Sequence, residues 1–229
     1  MKCRSSLVYW IVAAAAVAAA APSGVLASRV PTPHGGVKLP LTATLIRGST
    51  AAQTEANVLV VYYSQSGNTE RLAEVVAEGA QRVDGVSVTL KAVADVTRED
   101  LVEADGLILG SPTYYANIAG PMKSFIDDWA FSYGVYLGGK VGGAFATGGG
   151  DTGGKEHVVV SLLLAMMNNG MVVAGPTHEE ADVKFGYPGA SALTPTPGSG
   201  FSDAELENAR LLGERIARLA LRTSTRIGG

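Results

Sequence analysis

The hexapeptide Ser64-Gln65-Ser66-Gly67-Asn68-Thr69 packs three hydroxyls, two carboxamides and a glycine into six residues. It follows an apolar run of strand length, Val58 to Tyr63. It precedes Leu72, Val75, Val76 and Gly79, which recur at i, i+3, i+4 and i+7. The hexapeptide is therefore expected where a strand hands over to a helix N-terminus, a place whose free N–H groups and positive dipole end suit an anion. It has no Lys or Arg, which excludes the GxxxxGK[ST] loop of nucleoside triphosphate binders. A phosphate monoester held by neutral donors fits these residue types. For this stretch alone, an ordinary capped turn is the alternative.

Two other glycine-bearing stretches could do chemistry. GSPTYYANIAGPMKSFID leaves the apolar run at Gly106 to Gly110 and sets Tyr114 and Tyr115 between Pro112 and a helix expected to start at about Pro121. Adjacent aromatics at a strand end offer a stacking surface for a flat conjugated ring, with Thr113, Asn117 and the backbone amides of Ala116 and Ile118 at its rim. The alternative is one tyrosine packed beneath the loop and the other at a subunit contact. TGGGDTGGKEH follows the run Val141 to Thr147; Gly148, Gly149, Gly150 and Gly153 beside Thr147, Asp151 and Thr152 let the backbone come close to a ligand and donate N–H groups to it. A flexible turn without a role is the alternative there.

The elements that must position these stretches are legible as an alternation. Five short apolar runs, Val58 to Tyr63, Val86 to Ala92, Gly106 to Gly110, Val141 to Thr147 and Met171 to Ala174, alternate with helix-period segments. Those helices include Met122, Phe125, Ile126 and Trp129, then Val159, Leu162, Leu163 and Met166. A last helix opens on the capping box Ser202 and Glu205. This is the pattern of an α/β domain with a doubly wound five-stranded parallel sheet and helices on both faces, expected over residues 57–223. In such a sheet the ligand lies beyond the carboxyl ends of the strands, so the three stretches should meet at one rim.

A phosphate at the first loop, a planar ring at the second and amide donors at the third outline a flavin mononucleotide. VLVVYYSQSGNT, ADGLILGSPTYYANIAGPMKSFID and GKVGGAFATGGGDTGGKE resemble the three flavin-binding segments of the flavodoxin-like family, nearest to its NAD(P)H:quinone oxidoreductase branch, the Trp-repressor-binding-protein type. The resemblance covers about residues 57–222. It implies sheet order 2-1-3-4-5 and FMN bound without covalent attachment, its phosphate on Ser64 to Thr69 and its ring between Pro112 to Ile118 and Thr147 to Gly153. It also implies hydride transfer from NAD(P)H to a quinone by way of flavin N5 in ping-pong fashion, and a homo-oligomer, dimer or tetramer. A flavodoxin-type electron carrier that binds FMN but not NAD(P)H is the rival reading. A receiver-like signalling domain is disfavoured because Tyr63-Ser64 and Ser111-Pro112 stand where its acidic pair and phosphoacceptor would be.

One departure concerns catalysis. Members of that branch usually carry a histidine segment before the fifth strand, where this chain has Met167-Asn168-Asn169-Gly170-Met171. Asn169 can hydrogen-bond but cannot take up a proton near neutrality. The histidines present, His34, His157 and His178, are read as exposed or capping residues. Residues 185–201, FGYPGASALTPTPGSGF, read as a long connection on which Tyr187 is a weak candidate for substrate contact. Trp129 fits the core, and Tyr133 and Tyr136 stand between core and interface.

The remaining sequence bounds location and partners. Lys2 and Arg4 precede an apolar stretch from Leu7 to Ala21, and Val25 and Ala27 occupy the minus-three and minus-one positions of a cleavage site; residues 1–27 read as a secretory signal or an N-terminal anchor. Residues 28–56, rich in Pro, Gly, Ser and Thr, read as a tether. Export follows if the signal works, a cytoplasmic protein otherwise, with membrane attachment only if the segment stays uncleaved. Losing Lys2 and Arg4 takes the net charge from −3 to about −5, which gives nucleic acid no basic footprint. Cys3, the only cysteine, lies in that segment, so disulfides and thiolate metal sites are excluded and no metal is expected.

Overall fold

The computed structural model describes residues 55–180, 183–194 and 200–224. Residues 1–27 and nearly all of 28–56 lie outside them; Ala56, at the end of the expected tether, already belongs to the first strand. In chain order the elements are β1 (Ala56–Tyr62), α1 (Asn68–Gln81), β2 (Val86–Ala92), α2 (Arg98–Glu103), β3 (Gly106–Tyr114), β4 (Asn117–Ile118), α3 (Gly120–Phe131), β5 (Val141–Gly148) and α4 (Lys155–Asn168). They continue with β6 (Val172–Val173), β7 (Thr177–Glu180), β8 (Val183–Gly186), β9 (Ala190–Leu193) and α5 (Asp203–Thr223).

The parallel sheet runs β2-β1-β3-β5-β6, the expected order with the added β4 counted in the numbering. Both faces are covered, as the nearly unbroken apolar strands require. Leu59, Val61, Leu107, Leu109 and Ala144 pack with Leu101 of α2, Met122, Phe125 and Trp129 of α3, and Leu162 and Met166 of α4. On the other face Val58, Val60, Ile108 and Phe145 meet Leu72 and Val76 of α1 and Leu212 and Ile216 of α5. Helices α1 and α5 touch backbone to backbone there: a Cβ on Gly79 would fall 2.1 Å from the Arg210 carbonyl oxygen, and one on Gly213 1.9 Å from that of Val76.

The register decides where the three loops emerge. Tyr62 pairs with Gly110, and Pro112 with Thr147. The chain thus leaves β1 and β5 at the level at which β3 passes into its terminal hairpin. Strand β3 outruns the expected Gly106 to Gly110 by four residues because it pairs with β4 as well as β5.

The fifth strand corrects the sequence reading. Only Val172 and Val173 of the expected Met171 to Ala174 pair with β5, at Val141 and Gly142. The strand position is completed by Ala190–Leu193, which pairs with Phe145 to Gly148. Between the two pieces the β7–β8 antiparallel hairpin is inserted. Residues 185–201 are therefore not one loop. Ala190 and Ala192 are buried in the cluster on the α5 side of the sheet, a role that small residues flanked by Pro188-Gly189 and Thr194-Pro195 do not advertise. The isolated Trp129 assignment holds, since its ring is buried in edge contact with Phe125.

Candidate functional site

Gly67 initiates α1 from the left-handed region, φ 81°, a conformation that costs glycine little. It provides no side-chain cap, so the first-turn N–H groups of α1 stand at the rim with the positive end of the helix dipole and no protein oxygen supplied by the cap residue. Asn68 Nδ2 donates to Ser66 Oγ at 3.2 Å, which folds the hexapeptide on itself. Ser64 Oγ is closed off from solvent and has no partner among the described residues.

The second stretch is a two-residue hairpin. Tyr114 pairs with Asn117 across Tyr115 and Ala116, whose φ values are 51° and 59°. Two consecutive positive φ values define the type I′ geometry, normally met by Asn-Gly, and a non-glycine residue there costs about 1 kcal/mol or more. The strained turn carries Tyr115 fully into solvent. Tyr114 donates its hydroxyl to Gln65 Oε1 at 3.0 Å, joining the second loop to the first. Burial, with Tyr63 close by, pushes the Tyr114 pKa up. Ser111 Oγ accepts from Ala119 N–H and donates to the Pro112 carbonyl, fixing the hairpin's return into α3. Thr113 Oγ1 is the second buried hydroxyl of this rim with no partner among the described residues. Asn117 Oδ1 accepts from Ile118 N–H at 2.9 Å.

The third stretch is organised by a residue that the sequence reading passed over. Lys155 opens α4 and is 5% exposed. Its Nζ donates to the Gly150 carbonyl at 2.7 Å and reaches the Asp151 carbonyl at 3.3 Å. A buried ammonium thus ties down the last carbonyl of the glycine run Gly148, Gly149, Gly150 and that of Asp151 after it. The GGKE order held the signal: a lysine at the start of a helix is badly placed for the dipole unless carbonyls claim it. Asp151, Thr152 and Gly153 are exposed.

Cross-links hold the three loops together. Thr69 Oγ1 and Thr147 Oγ1 lie 2.8 Å apart, both buried, joining first to third. Gly154, at φ 94°, abuts Ala116: a Cβ on it would lie 2.7 Å from Ala116 Cβ, so the second and third loops are in contact. The expected convergence of Ser64 to Thr69, Pro112 to Ile118 and Thr147 to Gly153 is thus what the chain builds. Among the described residues no group of His, Cys, Asp or Glu is arranged to hold a metal ion.

A curated protein described as flavodoxin, from Aquifex aeolicus (strain VF5), is 39% identical over 160 residues, which cover 70% of this chain and 84% of that protein. The chain belongs to the flavodoxin family. A second flavodoxin, from Clostridium saccharobutylicum, is 36% identical over 70% of this chain and 94% of its own length. Among solved structures, the flavodoxin, WrbA-like protein of Agrobacterium tumefaciens superposes with a TM-score of 0.60 at 30% identity, covering 74% of this chain and all of that one. A family model described as NADPH-dependent FMN reductase matches residues 91–178, a span that holds the second and third loops but not the first.

Two candidates of this flavodoxin-family chain stand apart from the rim. Asn169 caps the far end of α4, where its Oδ1 accepts from Leu137 N–H at 2.9 Å, ahead of β5; it belongs to the opposite, amino-terminal end of the strands. Tyr187 follows the inserted hairpin and packs edge-on to His178 and Phe185. His178, expected to be exposed or capping, is instead half-buried, bonded to Asn208 Oδ1 at 2.9 Å and stacked on Phe185. His157 stays exposed beside Ser161. Tyr133 packs on the core and reaches the Val96 carbonyl, while Tyr136 is exposed.

Proposed function

We propose that this chain binds FMN without covalent attachment and works as a flavin oxidoreductase that is reduced by NAD(P)H and reoxidised by a small quinone. The observation that carries the cofactor is the pair of buried, unpartnered hydroxyls, Ser64 Oγ and Thr113 Oγ1. Leaving a buried hydroxyl unpaired costs about 1–3 kcal/mol. Two such groups at one rim, beside an uncapped helix N-terminus, fit a ligand with phosphate oxygens and ring carbonyls.

The division of labour follows from the donors present. The first-turn amides of α1 with Ser64 and Ser66 suit the phosphate dianion, and no protein charge is needed because the helix supplies the positive end. Thr69 and Thr147 satisfy one another with one hydroxyl proton, so the second proton is free to reach the ligand. Tyr114 and Tyr115 give the ring a stacking partner whose turn is rigid. Lys155 draws the Gly150 and Asp151 carbonyls to itself, which withdraws two acceptors from the site and leaves the glycine N–H groups to donate. FMN, when bound, supplies a ring that accepts a hydride from a nicotinamide and passes electrons to an acceptor.

The match to the NADPH-dependent FMN reductase description favours the enzyme. The names of the two flavodoxin relatives favour the second reading, an electron carrier that takes FMN but no nicotinamide. Anaerobic mixing of the FMN-loaded protein with NADH or NADPH separates them. The enzyme loses its absorbance near 450 nm on mixing and regains it on adding a benzoquinone. A flavin that stays yellow under excess of both nucleotides identifies the carrier.

A further inference from the structure

A cavity of about 520 Å³ lies at the edge of the sheet, bounded by β9, by the first turns of α4 and α5, and by the inserted hairpin. Its size falls in the range of small-molecule sites. One wall is aromatic. His178 and Phe185 stack with centroids 5.5 Å apart and planes 13° from parallel. Tyr187 stands edge-on to both, at 5.2 Å and 5.8 Å. Packing against each other has not hidden these rings: Phe185 remains 38% exposed and Tyr187 51%. The His178–Asn208 hydrogen bond, together with the contact of Arg215 with Thr177 Oγ1, seats the hairpin on α5 and fixes the wall.

The lining is also acidic. Glu156 of α4 and Glu205 of α5 both line the cavity, as do Asn208, Ser191, Val159 and Pro188. Among the described residues no Lys or Arg lines it. Glu205 accepts from Leu193 N–H at 2.6 Å and from Ser202 N–H and Oγ at 2.8 and 2.7 Å. Burial works to raise its pKa, but these donors, together with the positive charge of Lys155, outweigh that effect and hold it below the usual carboxylate range, so it is charged at neutral pH. Lys155 does not join the lining; its ammonium is directed to the glycine loop carbonyls.

Aromatic rings and two carboxylates line one cavity, and among the described residues the cation acting on Glu205, Lys155, is turned to the Gly150 and Asp151 carbonyls; this favours one ligand chemistry. An ammonium centre is drawn to ring faces and to carboxylates alike, whereas a phosphate or carboxylate ligand meets two full negative charges that oppose the partial positive ends of α4 and α5. We infer that this cavity is a second ligand site, distinct from the three-loop rim, that binds a small organic cation with an apolar or aromatic body through the His178, Phe185 and Tyr187 rings and the Glu156 and Glu205 carboxylates. The inference does not rest on the flavin assignment, since no residue of Ser64 to Thr69, Pro112 to Ile118 or Thr147 to Gly153 lines the cavity.

Benzyltrimethylammonium is a suitable probe, with benzyl alcohol as the neutral control and phenylacetate as the anionic one, titrated into the full chain by calorimetry. The expected result is saturable binding of one ammonium per chain, about tenfold or more tighter than the alcohol, with no binding of the anion. Glu156→Gln, on an exposed position whose loss leaves the core untouched, should weaken the ammonium several-fold, and Tyr187→Leu by about tenfold. Equal affinity for the alcohol, absence of saturation, or indifference to both substitutions in variants that keep the parent Tm would overturn the assignment.

Discussion

Thr69 Oγ1 and Thr147 Oγ1 lie 2.8 Å apart in the interior, joining the start of α1 to the end of β5 across 78 residues of sequence. Each hydroxyl is the other's protein partner, so the two act as a unit. Replacing either by the isosteric valine strands its partner and should cost the apoprotein about 1–3 kcal/mol. The double variant strands nothing, and its cost should fall short of the sum of the singles by about 1 kcal/mol. Urea unfolding of the four proteins reads the coupling directly, and strict additivity would show that the contact is incidental.

The orphaned hydroxyls give a prediction with opposite signs in two states. Ser64→Ala and Thr113→Val each remove a buried donor that makes no bond within the described chain. Without ligand, these variants should be as stable as the parent or gain up to about 1 kcal/mol. With FMN they should bind about five- to twentyfold more weakly, the equivalent of one hydrogen bond to a charged or carbonyl oxygen. Parallel thermal melts of the apoprotein and fluorescence-quenching titrations of FMN measure both effects. Loss of stability with unchanged affinity would remove the reason for placing a ligand at this rim.

Much of this arrangement is legible in residue types. Strand alternation with helix periods gives the parallel α/β class, the resemblance to the flavodoxin-like family implies the sheet order, and the three glycine-bearing segments are visible because hydroxyls, tyrosines and glycines stand out against apolar strands. What stays hidden depends on contacts between distant residues. Lys155 reads as a surface lysine of a helix until the carbonyls of Gly150 and Asp151 are seen to fold back on it. Ala190 to Leu193 reads as loop because alanine and serine carry no strand preference, yet burial of Ala190 and Ala192 against the α5 side makes it the continuation of the fifth strand. Asn169 fails for a related reason: adjacency to a strand start says which end of the sheet a residue occupies only once the strand's direction is respected.

Lys155 is expected to position the glycine loop rather than touch the reacting atoms. Lys155→Met keeps most of the buried volume but releases the Gly150 and Asp151 carbonyls. The apoprotein should lose about 1–3 kcal/mol, because two acceptors lose a charged donor. FMN affinity should fall about tenfold, and the FMN potential should shift to more negative values as a nearby positive charge disappears. Lys155→Arg should not restore either property, since a planar fork cannot replace a point donor in a pocket shaped for an ammonium. A variant with parent affinity and potential would return Lys155 to a purely structural role.

Gly154 and Ala116 form a mutually exclusive pair. An alanine at 154 meets both a φ of 94° and the Ala116 Cβ at 2.7 Å. Gly154→Ala should therefore destabilise by more than about 1 kcal/mol from backbone strain alone, with the clash added. Ala116→Gly relieves the left-handed turn and should stabilise by about 0.5–1 kcal/mol. The double variant removes the Cβ–Cβ contact but keeps the strain at 154 and the 2.9 Å approach to the Cα of residue 116, so it should recover only part of the loss. Denaturant midpoints of the three variants test this ranking, and a harmless Gly154→Ala would mean that the second and third loops are not in contact in solution.

Tyr62 offers a spectroscopic check on the start of α1. Its hydroxyl donates to Glu70 Oε1 at 2.6 Å. Burial first, then the bond to Glu70 and the charges of Glu70, Glu74 and Asp95, push its pKa up to about 12. The folded protein thus keeps this proton at pH values where the unfolded chain, near 10, has lost it. The resulting stabilisation is complete below about pH 10 and is lost as pH rises through 12. Absorbance at 295 nm should show Tyr62 titrating latest of the eight tyrosines, later than Tyr114, whose pKa is also raised, and Tyr62→Phe should remove the step near 12. Glu70→Gln, which keeps an acceptor but removes the charge, should move the step toward 10 without abolishing it. A step near 12 that survives Tyr62→Phe unchanged would break the Tyr62–Glu70 assignment.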